Sequence, residues 1–295
     1  MNDRQPAVAA VQAEPSPDRA DPPDPAGISG LHLNGATIMT TSTPAHVAIA
    51  RRTGYAGVEL RAERLLDAPD EVRATAEVVT EGEVWSLNGI QLKVDRGGRL
   101  RRDLLDDELP PRLEICRAVQ AAYLLVVPPR MTGVTAEAAL PAMVDGLTIV
   151  RDAAHSSGIR VAFEFLGFGD CPIDSPALAG RVVEAVPDAD LVLDSCHWHA
   201  SGSAPLEGFP VGRLAMVHLN DAPAKPPREI EDADRLLPSL GVIRLAELVE
   251  RLRVAGYAGP WSVETFNPAY WDRDPEEVAR EARELTAQVL TSGRS

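Results

Sequence analysis

The sequence contains few cysteines, and their arrangement excludes a disulfide framework. Cys116, Cys171 and Cys196 are the three cysteines among 295 residues. They are odd in number, far apart in the chain and not arranged as Cys-x-x-Cys. Because such thiols are typical of reduced proteins, we expect a cytoplasmic protein whose cysteines carry out no redox chemistry.

Basic residues are also scarce relative to acidic ones. The chain has 29 Lys and Arg residues against 44 Asp and Glu residues, which gives a formal net charge of −15. A chain this acidic repels phosphate backbones and anionic membrane surfaces. We therefore expect no nucleic acid and no membrane among its partners, and the charge disfavours a nuclease.

Long hydrophobic runs are missing as well. The longest apolar segments are as short as strands, well below the roughly 20 residues that a helix needs to cross a bilayer. The N-terminus has no basic region followed by an apolar core, as a secretory signal would have. The sequence therefore predicts a soluble protein that is not exported.

Large apolar side chains are nearly absent from residues 1–28, which are rich in Pro, Ala and Asp. Such a segment cannot bury enough surface to offset the entropy lost on ordering. We predict a disordered tail over residues 1–28 and a single catalytic domain over residues 29–295.

From residue 31 onward, short apolar runs alternate with helical patterns. The runs predict eight strands, over residues 31–38, 57–60, 84–90, 123–128, 160–165, 189–195, 214–221 and 261–266. Eight repeats of strand and helix imply parallel strands that close into a (β/α)8 TIM barrel. A doubly wound open sheet is the alternative, but LHLNGATIMTT, in and after the first strand, lacks the G-x-G-x-x-G fingerprint.

Four polar residues interrupt the ends of the last four apolar runs. They are Glu164 in VAFEF, Asp194 in LVLDS, His218 in MVHLND and Glu264 in WSVETF. A buried strand does not tolerate such side chains without partners, and adjacent strand ends in a barrel would bring all four to the active-site mouth. Three carboxylates and one imidazole suit one divalent metal ion, Mn²⁺, Mg²⁺, Co²⁺ or Zn²⁺, without choosing among them.

Other polar positions carry less weight. Glu59 and Asn88 also end strands on the mouth face, but polar residues are common at that rim, and we assign them no role. The segment over residues 222–242 is long for a compact domain, so we expect it to cover the mouth. It contains Arg235, whose simplest role would be a surface ion pair with its acidic neighbours.

These segments resemble the xylose-isomerase-like superfamily of sugar isomerases and epimerases, most closely its inosose (2-keto-myo-inositol) isomerases. The resemblance is most specific in LVLDSCHWHASGS and SVETFNPAYW. It implies a metal ion held by Glu164, Asp194, His218 and Glu264. It also implies that Glu164 and Glu264 form the acid/base pair and that His197 and Arg235 bind substrate oxygens.

The resemblance implies a reaction as well. An isomerase or epimerase of this kind acts on a polyol ketone, an inosose or ketose, through a cis-enediolate formed by carboxylate proton transfer. The same intermediate can expel a β-hydroxyl, so a dehydratase of the inosose or 3-dehydroshikimate type is the alternative. A barrel that binds metal but has only a regulatory role is a remoter one. Family members often associate through barrel helices, so a homo-oligomer stays open.

One short segment departs from the family pattern. Where the family usually has P-G-x-G, this chain has Pro238-Ser239-Leu240-Gly241. Loss of the first glycine changes the permitted backbone angles, and we expect Leu240 to add an apolar side chain near the mouth. The departure leaves the choice among polyol ketones open.

Overall fold

The computed structural model of the protein describes residues 30–206 and 208–292. Within these ranges eight parallel strands pair in chain order and close into a barrel. The strands are β1 Leu31–Asn34, β2 Gly57–Arg61, β3 Val84–Gln91, β4 Tyr123–Val127, β5 Arg160–Glu164, β6 Ala189–Asp194, β7 Leu214–Leu219 and β8 Trp261–Val263. The predicted TIM barrel is confirmed, whereas the tail predicted over residues 1–28 lies outside the described residues.

Helices connect the strands and pack around the barrel. In the described ranges they are α1 Thr43–Thr53, α2 Ala62–Leu65, α3 Pro69–Val78, α4 Arg102–Ala118, α5 Ala136–His155, α6 Pro176–Glu184, α7 Ser195–Ala200, α8 Leu245–Val254, α9 Pro268–Trp271 and α10 Pro275–Ser292. In α5 the buried residues Met143, Leu147 and Val150 recur every three or four positions, which places one apolar face against the sheet. None of these helices has both the length and the apolar composition needed to cross a bilayer.

Six of the eight strands end earlier than predicted, the first and the last by the most. The first ends at Asn34 because the Asn34 side chain accepts a hydrogen bond from Ala36 N and begins a 3₁₀ helix over Gly35–Ile38. The last ends at Val263. Asn34 is therefore the last strand residue of β1, and Glu264 directly follows β8, which pairs with β1.

Apolar side chains fill the barrel below its mouth. Tyr123, Leu125, Ala162, Val192 and Met216 form a buried cluster separate from the main core. Side chains two residues apart share one face of a strand, so this cluster lies on the same face as the polar residues at the strand ends. The interior is thus a packed layer that supports the mouth.

The segment between β7 and α8 reaches over the mouth. An ion pair of 2.8 Å between Glu231 and Arg130 attaches it to the loop after β4. Its residues Asp232 and Arg235 line the cavity at the mouth. The expected covering of the mouth by residues 222–242 is therefore observed.

The tetrapeptide that departs from the family pattern lies away from that cavity. Ser239 has a φ of 75° and so keeps the left-handed conformation that favours glycine. Gly241 N donates a hydrogen bond to Asp221 Oδ2 at 2.9 Å, which fixes the turn. Leu240 is 47% exposed and is absent from the described residues that line the cavity. Our expectation for Leu240 is therefore wrong, because the turn directs its side chain to solvent.

Candidate metal centre

The barrel brings together the four polar residues from the ends of the last four strands. Glu164 ends β5, Asp194 ends β6, His218 lies in β7 and Glu264 follows β8. All four are buried, and one potential ligand atom from each lies within 4.8 Å of the others. In the β6–β7 register Asp194 is directly opposite His218, so strand pairing itself creates part of the cluster.

His218 occupies the centre of this cluster. Its Nδ1 lies 3.2 Å from Glu164 Oε1 and 3.0 Å from Glu264 Oε2. Its Nε2 lies 3.1 Å from Glu59 Oε1 on the other side of the ring. Burial acts to lower the pKa of His218, but the surrounding glutamates outweigh it and raise the pKa well above its ordinary value. A protonated His218, together with Arg61 and Arg235, offsets the negative charge of the carboxylates.

Burial and neighbouring charges shift the pKa values of the carboxylates in this cluster. Burial raises the pKa of Glu164 to about 7 and also raises that of Asp194. The pKa of Glu264 is lowered even though burial acts to raise it, because His218, Arg235 and Arg61 lie nearby. Buried carboxylates at this separation are stable as anions when a cation lies between them. The donor set, three carboxylates and one imidazole, fits a divalent metal ion, and the cluster suggests such a site.

A hydrogen-bond network from the first half of the barrel holds this cluster in place. Asn34 Nδ2 donates to Glu264 Oε1 at 3.0 Å and to Glu59 Oε1 at 3.3 Å. Ser86 Oγ lies 2.8 Å from both Glu59 Oε2 and Asn88 Oδ1, and its one proton serves either. Asn88 Nδ2 donates to Glu264 Oε1 at 3.4 Å.

The sequence alone does not predict this network: Glu59 and Asn88 receive no role from it, and Asn34 and Ser86 are not singled out. The criterion that identified the four strand-end residues, a charged side chain in an apolar strand, applies to Glu59 as well, whereas Asn34, Ser86 and Asn88 are uncharged and give a weaker signal. Glu59 is fully buried and contacts His218 Nε2, which places a carboxylate behind the imidazole as in many metal-binding histidine sites.

Asp194 is fixed by three donors. Its Oδ1 accepts a hydrogen bond from His197 N at 2.7 Å, which caps α7. Its Oδ2 accepts one from Asn220 Nδ2 at 2.5 Å and another from Arg235 Nη1 at 3.2 Å. This carboxylate is therefore held rigidly at the edge of the cluster.

His197 and Arg235 lie together beside the four clustered residues. Arg235 is 1% exposed, so it is not the surface residue that the acidic neighbours in the sequence suggested. Its Nη2 donates to His197 Nε2 at 3.0 Å, and because an arginine can only donate, His197 must carry its proton on Nδ1. That Nδ1 is buried and has no partner among the described residues. Burial, with Arg235, lowers the pKa of His197 well below its ordinary value, so the ring is neutral.

A cavity of about 390 Å³ opens above the cluster. Glu164, Glu264, His197 and Arg235 line it, whereas Asp194 and His218 lie beneath its surface. The Phe168 ring packs edge-on against the His197 ring at 4.8 Å and forms part of the wall. The volume is that of a site for a small molecule.

A closed parallel barrel with a buried carboxylate and imidazole cluster at its mouth is typical of metal-dependent TIM-barrel proteins. Residues 47–289 match the model of the xylose isomerase-like TIM barrel family, and the chain belongs to this family. The resemblance to this family that the sequence motifs indicated is therefore confirmed.

The chain is similar to curated inosose isomerases. It is 30% identical to that of Bacillus subtilis (strain 168) over 272 residues, which cover 88% of this chain and 98% of the relative. It is 32% identical to that of Halalkalibacterium halodurans over 193 residues, which cover 62% of this chain and 67% of the relative. Among solved structures it is similar to the IOLI protein with a bound zinc atom, with a TM-score of 0.81 and 25% identity over 90% of this chain and 99% of the other.

Proposed function

We propose that this protein is a metal-dependent isomerase or epimerase of a polyol ketone of the inosose or ketose class. The observation that carries the proposal is the position of Glu164 and Glu264. Both belong to the buried cluster and both line the cavity. Two carboxylates that reach the same small-molecule cavity can move a proton to and from a substrate carbon. The inosose isomerase relatives support this class of substrate.

Glu164, Asp194, His218 and Glu264 would hold the ion, which is Mn²⁺, Mg²⁺, Co²⁺ or Zn²⁺. When bound, such an ion polarises the substrate carbonyl and stabilises the negative charge that develops on its oxygen. These four side chains are suitable ligands for each of the four metals and do not indicate which one is bound. The zinc atom in the structure of the IOLI protein supports a divalent ion.

The two glutamates differ in their surroundings, which suggests different roles. Among the described residues, Glu164 has one hydrogen-bonding partner, His218. Glu264 is held by side chains from several elements, including Asn34, Arg61 and Arg235. Because hydrogen bonds to a carboxylate reduce its basicity, Glu164 is the better base. Glu164 would remove the proton from the carbon next to the carbonyl, and Glu164 or Glu264 would return it to form the product.

His197 and Arg235 would bind the substrate oxygens. The His197 Nδ1–H has no acceptor within residues 30–206 and 208–292, and its ring lines the cavity, so it can donate to a hydroxyl or enediolate oxygen. Arg235 would contribute a fixed positive charge while keeping His197 in this tautomer. The cis-enediolate would thus form in a pocket whose donors are already oriented.

The proposal is tested by hydrogen exchange at carbon. Purified protein loaded with each of the four metals is incubated in D₂O with 2-keto-myo-inositol, D-fructose, D-tagatose or 3-dehydroshikimate, and products are followed by NMR. We expect deuterium at the carbon next to the carbonyl in an isomerised product. Loss of water with a new enone absorbance would instead support the dehydratase. Tight metal binding with no exchange in any of these compounds would favour the regulatory alternative and contradict the proposal.

A further inference from the structure

The cavity at the mouth differs in charge from the rest of the chain. Five basic residues and four acidic residues line it, although the chain as a whole has a formal net charge of −15. The basic residues are Arg61, Lys93, Arg112, Arg130 and Arg235. The acidic residues are Glu108, Glu164, Asp232 and Glu264. A divalent ion held by the cluster would make this region still more positive.

Three of the five basic residues are well neutralised. Arg61 pairs with two carboxylates, those of Glu63 and Glu264. Arg130 likewise pairs with two carboxylates. Arg235 pairs with three. Each of these three charges is thus paired within the protein, although Arg61 and Arg235 share Glu264.

Lys93 and Arg112 differ because they share a single carboxylate. Lys93 Nζ lies 2.5 Å from Glu108 Oε1. Arg112 Nη2 is 3.6 Å from Glu108 Oε2, beyond hydrogen-bond distance. This group of three side chains therefore retains one net positive charge at the cavity wall.

Arg112 is also shielded from water. Its side chain is 13% exposed, and burial lowers its pKa from the ordinary value, since Glu108 and Glu63 only partly offset that effect. Its Nε donates to Gly89 O and its Nη1 to Glu108 O. In the described residues, one N–H of Nη1 and both of Nη2 have no acceptor within hydrogen-bond distance. A partly buried guanidinium with unused donors at a cavity wall is suited to a carboxylate or phosphate.

The position of these residues fits the far end of a substrate. Asn88 lies at the depth of the clustered carboxylates, because its Nδ2 contacts Glu264 Oε1. Arg112 is anchored one residue further along β3, at Gly89. Gln91, at the end of β3, and Lys93, two residues further along the chain, line the same cavity. A six-carbon ketone at the cluster would therefore reach toward Arg112 and Lys93 with its remaining carbons.

We infer that Lys93 and Arg112 bind an anionic group of the substrate, a carboxylate or a phosphate. The inference rests on the proposed function, because it treats the same cavity as the substrate site. It narrows the substrate to a polyol ketone that carries a negative charge, such as a keto acid or a ketose phosphate.

The test compares neutral and anionic compounds on the full-length, metal-loaded protein. Dissociation constants are measured by calorimetry for D-fructose against D-fructose 6-phosphate and for 2-keto-myo-inositol against 3-dehydroshikimate. We expect at least one anionic compound to bind ten-fold more tightly than its neutral counterpart. The first pair tests a phosphate and the second a carboxylate, so the results distinguish the two groups.

Three variants connect that preference to the residues. Arg112→Gln and Lys93→Gln should each reduce it about ten-fold, whereas Glu108→Gln should increase it. Lys93 is 41% exposed, so its variant also guards against a folding defect in the Arg112 variant. Arg117→Gln is the matched control, because Arg117 belongs to the same helix but does not line the cavity.

Equal or weaker binding of the anionic compounds in both pairs would overturn the inference. So would a preference that persists in both Arg112→Gln and Lys93→Gln. The outcome is separable from that of the exchange test. If neutral ketones exchange deuterium but anionic compounds bind no more tightly, the proposed function stands and the anion site is rejected. If anionic compounds bind more tightly but no compound exchanges deuterium, the anion site stands and the proposed function is rejected.

Discussion

The two halves of the barrel contribute different kinds of residue to the site. Strands β5 to β8 supply the four side chains that could bind a metal ion. Strands β1 to β3 supply Asn34, Glu59 and Asn88, which hydrogen-bond to those side chains, and Ser86, which hydrogen-bonds to Glu59 and Asn88. In the proposed function, one half thus holds the acid/base pair and the other helps to orient it. Substitutions in the second half should affect chemistry most, and those in the first half should affect metal affinity and geometry.

The largest effect should follow a change in the second half. Glu264→Gln removes the carboxylic acid that would return the proton to carbon but keeps the shape of the side chain, and we expect kcat to fall about 1000-fold. Activity and bound metal are measured on the same preparation. Glu284→Gln, an exposed change in α10, is the control. Activity near that of the unchanged protein, with metal present, would remove Glu264 from the reaction.

Two buried histidines sharpen the comparison, because their surroundings shift their pKa values in opposite directions. The neighbouring glutamates raise the pKa of His218, whereas burial lowers the pKa of His46, in α1, to about 4. The unfolded chain has an ordinary value of about 6.5 and takes up the proton first as the pH falls. Stability that is present above pH 6.5 should therefore be lost as the pH falls toward 4, by at most about 3 kcal/mol.

His46→Gln tests this expectation. Glutamine keeps a donor for Leu33 O, which the His46 ring contacts at 3.0 Å, but does not titrate. Urea unfolding between pH 7 and 4 should show a shallower loss of stability in the variant. An unchanged slope would mean that His46 does not contribute to acid sensitivity.

A moderate effect is expected from the first half. Glu59→Gln keeps a hydrogen bond to His218 but removes the charge behind the ring, so we expect metal affinity to fall 10- to 100-fold. Affinity is measured by titration of Zn²⁺ or Co²⁺ against a competing chelator, and kcat is measured at saturating metal. A larger loss of metal affinity than of kcat would support the view that the first half of the barrel mainly orients the metal-binding residues. Glu81→Gln, exposed and outside the network, is the control.

The smallest effect should come from Ser86→Ala. The change removes one donor to Glu59 and costs about 1 kcal/mol, or up to about ten-fold in metal affinity. The same titration applies. A loss as large as that in Glu59→Gln would show that Ser86, and not the carboxylate, controls the position of His218.

The barrel and the cluster could be predicted from the sequence for a physical reason. Glu164 and Asp194 interrupt runs of apolar residues, and charged groups in buried strands need partners. Asn34 and Ser86 are small and neutral, so the same argument gave them no weight. Their roles depend on which strands become neighbours, and that is fixed only when the barrel closes. The direction of Leu240 also escaped prediction, because it depends on hydrogen bonds made by Asp221 across the loop.

The contact between Asn34 and Glu264 has a consequence for folding. The two residues are 230 positions apart, and β1 and β8 must pair before they meet. Contacts of such long range form late in folding, because the chain loses much entropy before they are gained. A fragment limited to the last four strands would carry every candidate ligand but would lack Asn34, Glu59 and Asn88, which hydrogen-bond to His218 and Glu264. A competent metal site would therefore be a late product of folding, and metal bound there would stabilise the closed barrel over every open intermediate.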